Sequence, residues 1–301
     1  MNKDFLTLWD MAPDEIDRLM ERALGMKSGS DRAAFPMTGK SIGLLFEKPS
    51  TRTRVSFEVG IYQLGGQTVC MSPAELQLGR GETMADTART LSRFLSAVVI
   101  RTSAHDRLEA FAQHASIPVI NGLSDKHHPC QALADLMTIR EKKGHLKGLK
   151  VAFVGDGNNV CNSLVEAASR MQFNLAISCP EGFEPDTETI TRARAIAQSR
   201  IEVVRSPHEA VAMADVIYTD VWVSMGQEQS AEEKKTKFRD YQINSSLLAG
   251  AKSDVTVLHC LPAHRGEEIT DDVIDGPNSS VFDQAENRLH AQKALLEMIV
   301  T

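Results

Sequence analysis

Short apolar segments alternate with longer helical patterns along most of the chain. The apolar segments are too short to be helices and are mostly apolar on both faces, which is typical of strands in a buried parallel sheet. The predicted strands are residues 41–47, 66–71, 96–102, 117–123, 150–157, 174–179, 201–205, 215–221 and 255–260. Because helical patterns lie between most of these strands, the chain is predicted to form βα units and a doubly wound α/β fold with parallel sheets.

The same pattern indicates where the chain divides into domains. The segment HPCQALADLMTIREKKGHLKGLK has the pattern of a long helix with a charged end, and the strand pattern starts again at VAFVGDGNN. We therefore predict one domain over residues 1–145 and a second over residues 146–284. Residues 285–301 carry Ala285 and Leu296 on one side at helical spacing, which predicts a C-terminal helix that packs back on the first domain.

Composition and charge exclude several classes of function. The chain has 301 residues, with 33 basic and 40 acidic side chains and a formal net charge of −7. This sign of charge argues against nucleic acid or anionic lipid as a partner, although a local arginine cluster can still bind a small anion. No segment approaches the roughly 18 uncharged apolar residues of a membrane span, so no membrane partner is expected. The five widely spaced cysteines include no Cys-x-x-Cys pair, which predicts reduced thiols and a cytoplasmic location.

A motif rich in cations and hydroxyls, KPSTRTR, follows the first strong strand. Pro49 disfavours helix in the residue before it and Ser50 is a good N-cap, so a helix is predicted to begin at Thr51. The start of such a helix offers backbone N–H groups and a partial positive charge, and Arg52 adds a guanidinium that can bind an anion through two hydrogen bonds. The motif therefore predicts a phosphate or carboxylate site, with a solvated capping turn as the alternative. Arg54 is expected to point to a different side of the helix.

Other polar residues follow the ends of later strands in the first half of the chain. Arg101 ends the strand AVVIR, and ligands of open α/β sheets gather outside the carboxyl ends of strands. His128 and Gln131 open the next long helix, where an imidazole and an amide suit a carbonyl or amide ligand. Arg101 is therefore predicted to face the same crevice as the KPSTRTR motif, whereas a lone histidine such as His128 is more often structural.

The second half of the chain offers polar groups at equivalent positions. The segment GDGNNV matches only two glycines of a dinucleotide-binding motif, because Val160 stands where a third small residue belongs. Its alternative role is to place Asn158 and Asn159 at a helix start, where amides can bind a polar substrate. Asp220 ends a strand and can bind an ammonium group. Cys260 ends the last strand, and its alternatives are a nucleophile, a hydrogen-bonding thiol or a buried small residue.

Histidine and cysteine occur together in HHPC and HCLPAH, so a metal site has to be considered. Neither segment has the ligand spacing of a zinc site, and we expect no acidic residue on the same face as His259 and His264. No bound metal is therefore predicted. The chain also lacks a Gly-x-Ser-x-Gly motif, so acyl-enzyme chemistry has no support.

Six motifs together are similar to a known family. FEKPSTRTRVSFE, HPCQALADL, GDGNNV, DVWVSMG, HCLPAHRG and FDQAENR occur in this order over essentially the whole chain, and they resemble the ornithine carbamoyltransferases. The first two motifs resemble all carbamoyltransferases, including the aspartate enzymes, whereas DVWVSMG and HCLP are typical of the ornithine branch. One departure is Cys130, where many members have threonine.

The resemblance implies an activity. The carbamoyl group of carbamoyl phosphate would be transferred to the δ-amine of L-ornithine, giving L-citrulline and phosphate, in arginine metabolism and by expectation in arginine biosynthesis. No cofactor would be required, because carbamoyl phosphate is already activated. The alternatives are a related carbamoyltransferase acting on putrescine or an N-acylated ornithine, a dinucleotide-binding oxidoreductase, and an anion-binding scaffold without catalysis.

The resemblance also assigns residues to the two substrates. Those implied to bind carbamoyl phosphate are Ser50, Thr51, Arg52, Thr53, Arg101, His128, Gln131, Cys260, Leu261 and Arg288. Gln77 would reach the phosphate from a neighbouring subunit of a homotrimer. Those implied to bind ornithine are Asn159, Asp220, Ser224 and Met225. The expected catalytic residues are Arg52, Arg101, His128, Cys260 and Arg288.

Two further expectations concern how this site works. Cys260 is expected to position the reacting amine rather than to act as a covalent nucleophile. The site is expected in the cleft between the two domains, where a polar loop carrying Ser224 and Met225 would fold over bound ornithine and exclude water.

Overall fold

The computed structural model describes residues 3–30, 35–72, 81–223 and 231–300. The chain divides into two compact units, the first comprising Met1–Met137 with Glu286–Thr301 and the second comprising Thr138–Ala285. Both divisions fall inside helices, whereas the sequence pattern placed the first boundary near residue 145, after a helix. No helix among the described residues has the length and apolar character needed to cross a membrane.

The first unit is built on a parallel sheet of four strands. Its strands are β1 Ser41–Phe46, β2 Gln67–Met71, β3 Ala97–Arg101 and β4 Val119–Leu123. The sheet has the order β2-β1-β3-β4, so the chain places β2 on one side of β1 and β3 on the other. The carboxyl ends of β1 and β3 therefore meet at the point where the strand order reverses, which is where open α/β sheets bind ligands.

Helices precede, connect and follow these strands. They are α1 Pro13–Ser28, α2 Thr51–Gln63, α3 Met84–Leu91, α4 His105–His114 and α5 Pro129–Lys143. A short 3-10 helix, Leu8–Asp10, precedes α1. The strands β3 and β4 are almost wholly buried, but the edge strand β2 is mostly exposed in the single chain.

The second unit contains a parallel sheet of five strands. These are β5 Lys150–Val154, β6 Asn174–Ser178, β7 Ile201–Val204, β8 Val216–Thr219 and β9 Thr256–His259. Their order is β7-β6-β5-β8-β9, so the strand order reverses between β5 and β8. The helices of this unit are α6 Asn159–Met171, α7 Thr187–Ile196, α8 Pro207–Val211, α9 Ala231–Phe238, α10 Ser245–Leu248 and α11 Asp271–Ile274. The last helix, α12 Val281–Val300, begins in this unit and belongs to the first unit from Glu286 onward.

The predicted doubly wound fold with two parallel sheets is confirmed, and each of the nine predicted strands is present. The strand predicted over 150–157 ends earlier, at Val154, because the chain turns at Gly155 with a φ of 144°. Gly157 lies so close to the backbone of residues 183–185 that an added Cβ would be 2.3 Å from the nitrogen of Pro185. The glycines of GDG therefore serve a tight turn and a close backbone approach.

Candidate active site

The KPSTRTR motif forms the turn into α2, and the predicted N-cap is confirmed. Ser50 has extended backbone angles, and its Oγ accepts the N–H of Thr53 at 3.3 Å. Thr53 is buried while Arg52 is partly exposed, so the first turn directs different side chains inward and outward. Arg54 is exposed and pairs along the helix with Glu58, with Nε 2.8 Å from Oε1. The start of α2 thus presents helix-terminus N–H groups next to Arg52, as an anion site requires.

Arg101 lies beside this turn because β1 and β3 are neighbours. Its Cα pairs with that of Phe46 at the end of β1, and its carbonyl accepts the N–H of Glu47 at 2.8 Å. The Arg101 side chain is buried although it carries a permanent charge. The reversal of strand order therefore brings the second predicted cation to the same edge of the sheet as the α2 turn.

Arg288 joins the starts of two helices within the first unit. Its Nη2 donates to Thr53 Oγ1 at 2.9 Å and its Nη1 donates to Gln131 Oε1 at 3.0 Å. Gln131 is fixed in turn, since its Nε2 donates to Asp135 Oδ1 at 2.8 Å. Both bonds from Arg288 are charge-assisted and buried, so they fix the orientation of the guanidinium plane.

The electrostatic centre of this group is His128. It immediately precedes α5, and its carbonyl accepts the N–H of Gln131 at 3.1 Å. Burial holds the pKa of His128 well below its usual value, and the positive charges of Arg288, Arg101 and Arg52 lower it further. His128 is therefore neutral near pH 7 and can donate a hydrogen bond without a further positive charge.

Together, these residues form an anion half-site, which we define as the α2 turn (residues 50–53), Arg101, His128, Gln131 and Arg288. Three guanidinium groups act on one imidazole, so the local potential is positive in a chain that is acidic as a whole. A phosphate group attached to a small polar group suits this combination of helix N–H groups, guanidinium groups and neutral donors.

A second group of predicted residues comes together in the second unit. Asp220 follows β8 and is buried, with one carboxylate oxygen accepting from Asn158 Nδ2 at 2.7 Å. The other oxygen accepts from the Cys260 thiol, with Sγ at 2.9 Å. We call Asn158, Asp220 and Cys260 the acidic half-site. A buried carboxylate with two fixed donors is placed to hold an ammonium group.

Asn159 stays a predicted ornithine contact, and the amide that contacts Asp220 belongs to its neighbour Asn158. Asn158 is the N-cap of α6, where its Oδ1 accepts the N–H groups of Val160 and Cys161 at 3.0 and 3.2 Å. Because Oδ1 faces the helix, Nδ2 is left to face Asp220. The N-cap preference for asparagine was the available signal, but which residue the amide reaches depends on the sheet order.

Leu261 and Cys260 lie on a turn held by a buried His–Glu pair. The Leu261 N–H donates to His259 Nδ1 at 2.9 Å, so the ring carries its proton on Nε2, which lies 3.1 Å from Glu268 Oε1. His259 and Glu268 are both fully buried. Leu261 has a φ of 55°, a left-handed conformation that is rare for leucine. The hydrogen bond to His259 thus stabilises the strained turn next to Cys260.

The expectation that no acidic residue accompanies His259 and His264 is wrong. Glu268 Oε1 accepts from the His259 ring and also from the backbone N–H of His264, at 2.6 Å. The contact arises because the chain turns back after the HCLPAHRG motif, which residue spacing does not reveal.

Potential metal ligands do converge at two places among the described residues. Asp220, His259 and Cys260 have ligand atoms within 4.8 Å of one another, as do His264, Glu267 and Glu268. In the first group both His259 nitrogens already take part in hydrogen bonds, with Leu261 and Glu268. A metal at that group would have to break one of them, so the absence of a resident metal stays a prediction.

Some assigned residues are not tested by the structure. Gln77, Ser224 and Met225 lie outside the described residues.

Cys130 is buried, its Sγ lies 3.3 Å from the Asn121 carbonyl oxygen, and burial raises the pKa of its thiol to about 12. Its neutral thiol therefore serves packing beside the anion half-site.

The half-site of the first unit suits an anion and that of the second unit suits an ammonium group, and comparisons with known proteins give the family. The aspartate/ornithine carbamoyltransferase carbamoyl-P binding domain matches residues 3–141, and the Asp/Orn binding domain of the same family matches residues 147–299. The chain belongs to the aspartate/ornithine carbamoyltransferase family.

Individual relatives fall in the ornithine branch. The chain is 54% identical to an ornithine carbamoyltransferase of Syntrophus aciditrophicus, with 100% of both chains covered. It is 52% identical to the anabolic ornithine carbamoyltransferase of Pseudomonas aeruginosa, over 99% of this chain and 97% of the relative. Among solved structures, the ornithine carbamoyltransferase of Pyrococcus furiosus superposes with a TM-score of 0.94 at 51% identity, covering 99% of this chain and 96% of that one.

Proposed function

We propose that this protein transfers the carbamoyl group of carbamoyl phosphate to the δ-amine of L-ornithine, releasing L-citrulline and phosphate. The observation that carries the proposal is the convergence of Arg52, Arg101 and Arg288 on the buried, neutral His128. Relatives that share half of their residues with this chain over its full length are named for this activity. We place the reaction in the cytoplasm and in arginine biosynthesis, in line with the relative named anabolic.

The anion half-site binds carbamoyl phosphate and stabilises the leaving phosphate. Backbone N–H groups and hydroxyls of residues 50–53 surround the phosphate oxygens, and Arg52 and Arg101 neutralise their charge. This charge grows as the bond between the carbamoyl carbon and the phosphate oxygen breaks, so fixed cations at this position lower the barrier.

His128, Gln131 and Arg288 act on the carbamoyl group itself. Attack of the amine converts the carbonyl carbon to a tetrahedral centre with a developing oxyanion. Arg288 and the neutral His128 donate hydrogen bonds to that oxygen, while the Gln131 amide orients the carbamoyl nitrogen. Because Thr53 and Gln131 already fix Arg288, little reorganisation is needed during the reaction.

The acidic half-site binds ornithine. Asp220 holds the α-ammonium, and Asn159 binds the amino-acid end of the substrate together with Ser224 and Met225. Cys260 and Leu261 position the δ-amine, which attacks in its neutral form. The new C–N bond forms with the tetrahedral centre, phosphate then leaves with the electrons of the C–O bond, and the departing phosphate takes up the proton that the amine loses. No cofactor is needed for this exchange.

We further propose that the active form is a homotrimer. Val55, Val59 and Tyr62 occupy one exposed face of α2, and Val69 is exposed on the neighbouring edge strand β2. Tyr62 alone is 78% exposed, an unusual position for a large apolar ring. A second copy covering this face lies close to the α2 turn and supplies Gln77 to the phosphate.

The experiment that tests the activity offers carbamoyl phosphate with four acceptors to the purified protein. Ornithine, putrescine, N-acetylornithine and aspartate are compared by direct detection of each carbamoylated product. Citrulline is expected as the dominant product. Dominant carbamoyl-putrescine or N-acetylcitrulline would overturn the choice of acceptor, and the absence of every product would overturn the activity.

A further inference from the structure

A buried lysine lies outside the half-sites described above. Lys234 is on α9, only 6% of its side chain is exposed, and its Nζ lies 2.6 Å from Asp156 Oδ2. The same ammonium group faces the rings of Phe183 and Phe238, at 5.4 and 5.8 Å from their centroids. Lysine is almost never buried unless it is paired, so the carboxylate of Asp156 compensates the buried ammonium of Lys234.

Asp156 connects this lysine to the acidic half-site. It follows β5 in the GDGNN motif, and its carbonyl accepts the backbone N–H of Asn158 at 2.7 Å. The Asn158 side chain then donates to Asp220, and Asp220 accepts from Cys260. A continuous chain of contacts therefore runs from Lys234 to the thiol.

The second observation concerns charge. Burial raises the pKa of Asp156, the Lys234 ammonium opposes this rise, and the negative charge of Asp220 adds to it. The two carboxylates are thus close enough to interact. Lys234 offsets Asp156, so a single negative charge, that of Asp220, remains for the substrate.

An amino acid and a diamine differ in how they respond to that charge. The amino-acid end of ornithine carries an ammonium and a carboxylate, so a second uncompensated carboxylate in the half-site would repel it. A diamine of the same length has no carboxylate and would not be repelled.

We infer that Lys234 is a specificity-determining residue: by neutralising Asp156 it leaves Asp220 as the uncompensated charge of the acidic half-site and favours an amino acid over a diamine. This inference rests on the proposed function. It assigns Lys234 to positioning and charge balance, since it acts on the substrate through Asp156.

The test compares Lys234→Met with the wild-type protein in alkaline buffer, because burial raises the pKa of Asp156 and loss of the Lys234 ammonium raises this pKa further. We expect the KM for ornithine to rise at least tenfold, because one unit charge at about 4 Å in a dielectric of about 20 changes an affinity by roughly a thousandfold and the substrate's own ammonium offsets part of the repulsion. The inhibition constant of putrescine should stay level or fall. The KM for carbamoyl phosphate should not change, because the anion half-site belongs to the first unit.

A double variant separates charge from structure. Lys234→Met with Asp156→Asn again leaves one negative charge, so it should recover the wild-type ratio of the ornithine KM to the putrescine inhibition constant. A purely structural role for the ion pair would predict no recovery. If Lys234→Met does not fold, Lys234→Gln, which keeps a hydrogen-bond donor without the charge, takes its place with the same expected change.

The matched control is Lys237→Met on the same helix. Its ammonium also faces Phe183, at 5.4 Å, but pairs with the exposed Glu233. It should leave the ornithine KM unchanged. An unchanged ornithine KM in Lys234→Met, or an equal change in both lysine variants, would overturn the inference while wild-type citrulline formation still supports the proposed function. Failure of the wild type to form citrulline would instead refute the proposed function.

Discussion

Replacing Arg288 by glutamine is the most direct test of the anion half-site. The guanidinium is 3% exposed and donates to Thr53 and Gln131 at 2.9 and 3.0 Å. Charge-assisted bonds of this kind contribute about 1.5–3 kcal/mol each. Loss of one preorganised donor to an oxyanion typically costs about 100- to 1,000-fold in kcat, or about 3–4 kcal/mol.

We therefore expect Arg288→Gln to lower kcat by about 100-fold or more, since one residue both orients the half-site and stabilises developing charge. The assay is steady-state citrulline formation with each substrate varied in turn. The KM for carbamoyl phosphate should rise, while the KM for ornithine should change little. Because Arg288 also depresses the pKa of His128, this pKa should move upward in the variant, which NMR titration can follow.

The control variant is Arg22→Gln. Arg22 lies on α1 and pairs with Glu297, which is on α12 as Arg288 is. The Arg22 Nε is 2.5 Å from Glu297 Oε2, and both side chains are about one-fifth exposed. It removes an arginine contact to α12 without touching the anion half-site. The reasoning is refuted if Arg288→Gln keeps more than about a tenth of the wild-type kcat, or if Arg22→Gln, equally folded by thermal unfolding, loses as much activity.

Three further predictions address other parts of the molecule. Cys260→Ser should keep kcat within about 100-fold of wild type, because a hydroxyl can replace the thiol as donor to Asp220; complete loss with a trapped carbamoyl-thiol adduct would show a covalent role. Burial lowers the pKa of His105 to about 4, so the unfolded state alone takes up this proton as the pH falls from about 6.5 towards 4, at a cost of up to about 3 kcal/mol of stability. Urea unfolding at neutral pH and pH 5 should show a smaller loss in His105→Asn than in the wild type or the exposed-site control His145→Asn, and equal losses in all three would contradict the argument. Tyr62→Asp should dissociate the trimer in sedimentation experiments and reduce activity with it, whereas an unchanged mass would remove the exposed α2 face from the interface.

Local chemistry made much of the fold and part of the site predictable. Strand positions follow from apolar runs, and the start of α2 follows from the preference of Ser50 for an N-cap. Both depend on interactions within a few residues, which the sequence displays directly. Even so, β2 is mostly exposed in the single chain and departs from the pattern expected of a buried strand, because its position at the sheet edge is a property of the strand order.

The remaining contacts depend on residues far apart in the chain. Arg101 lies beside the α2 turn because β3 pairs with β1. Arg288 and Thr53 are in contact although they are 235 residues apart in the sequence. Resemblance named Arg288, but no local pattern did. Glu268 was missed for the same reason, since its contact with His259 forms when the loop after β9 folds back.

The first unit is assembled from two separated stretches of chain, and this has a consequence for synthesis. A ribosome makes Arg52, Arg101 and His128 first, then the whole of the second unit, and only afterwards Arg288. Units tend to fold as they emerge, N-terminal residues first. A nascent chain that stops before residue 288 therefore has an incomplete anion half-site, which lacks the arginine that joins Thr53 to Gln131. The anion half-site is therefore complete only after translation of the entire second unit, and a truncated product is expected to bind a small anion poorly.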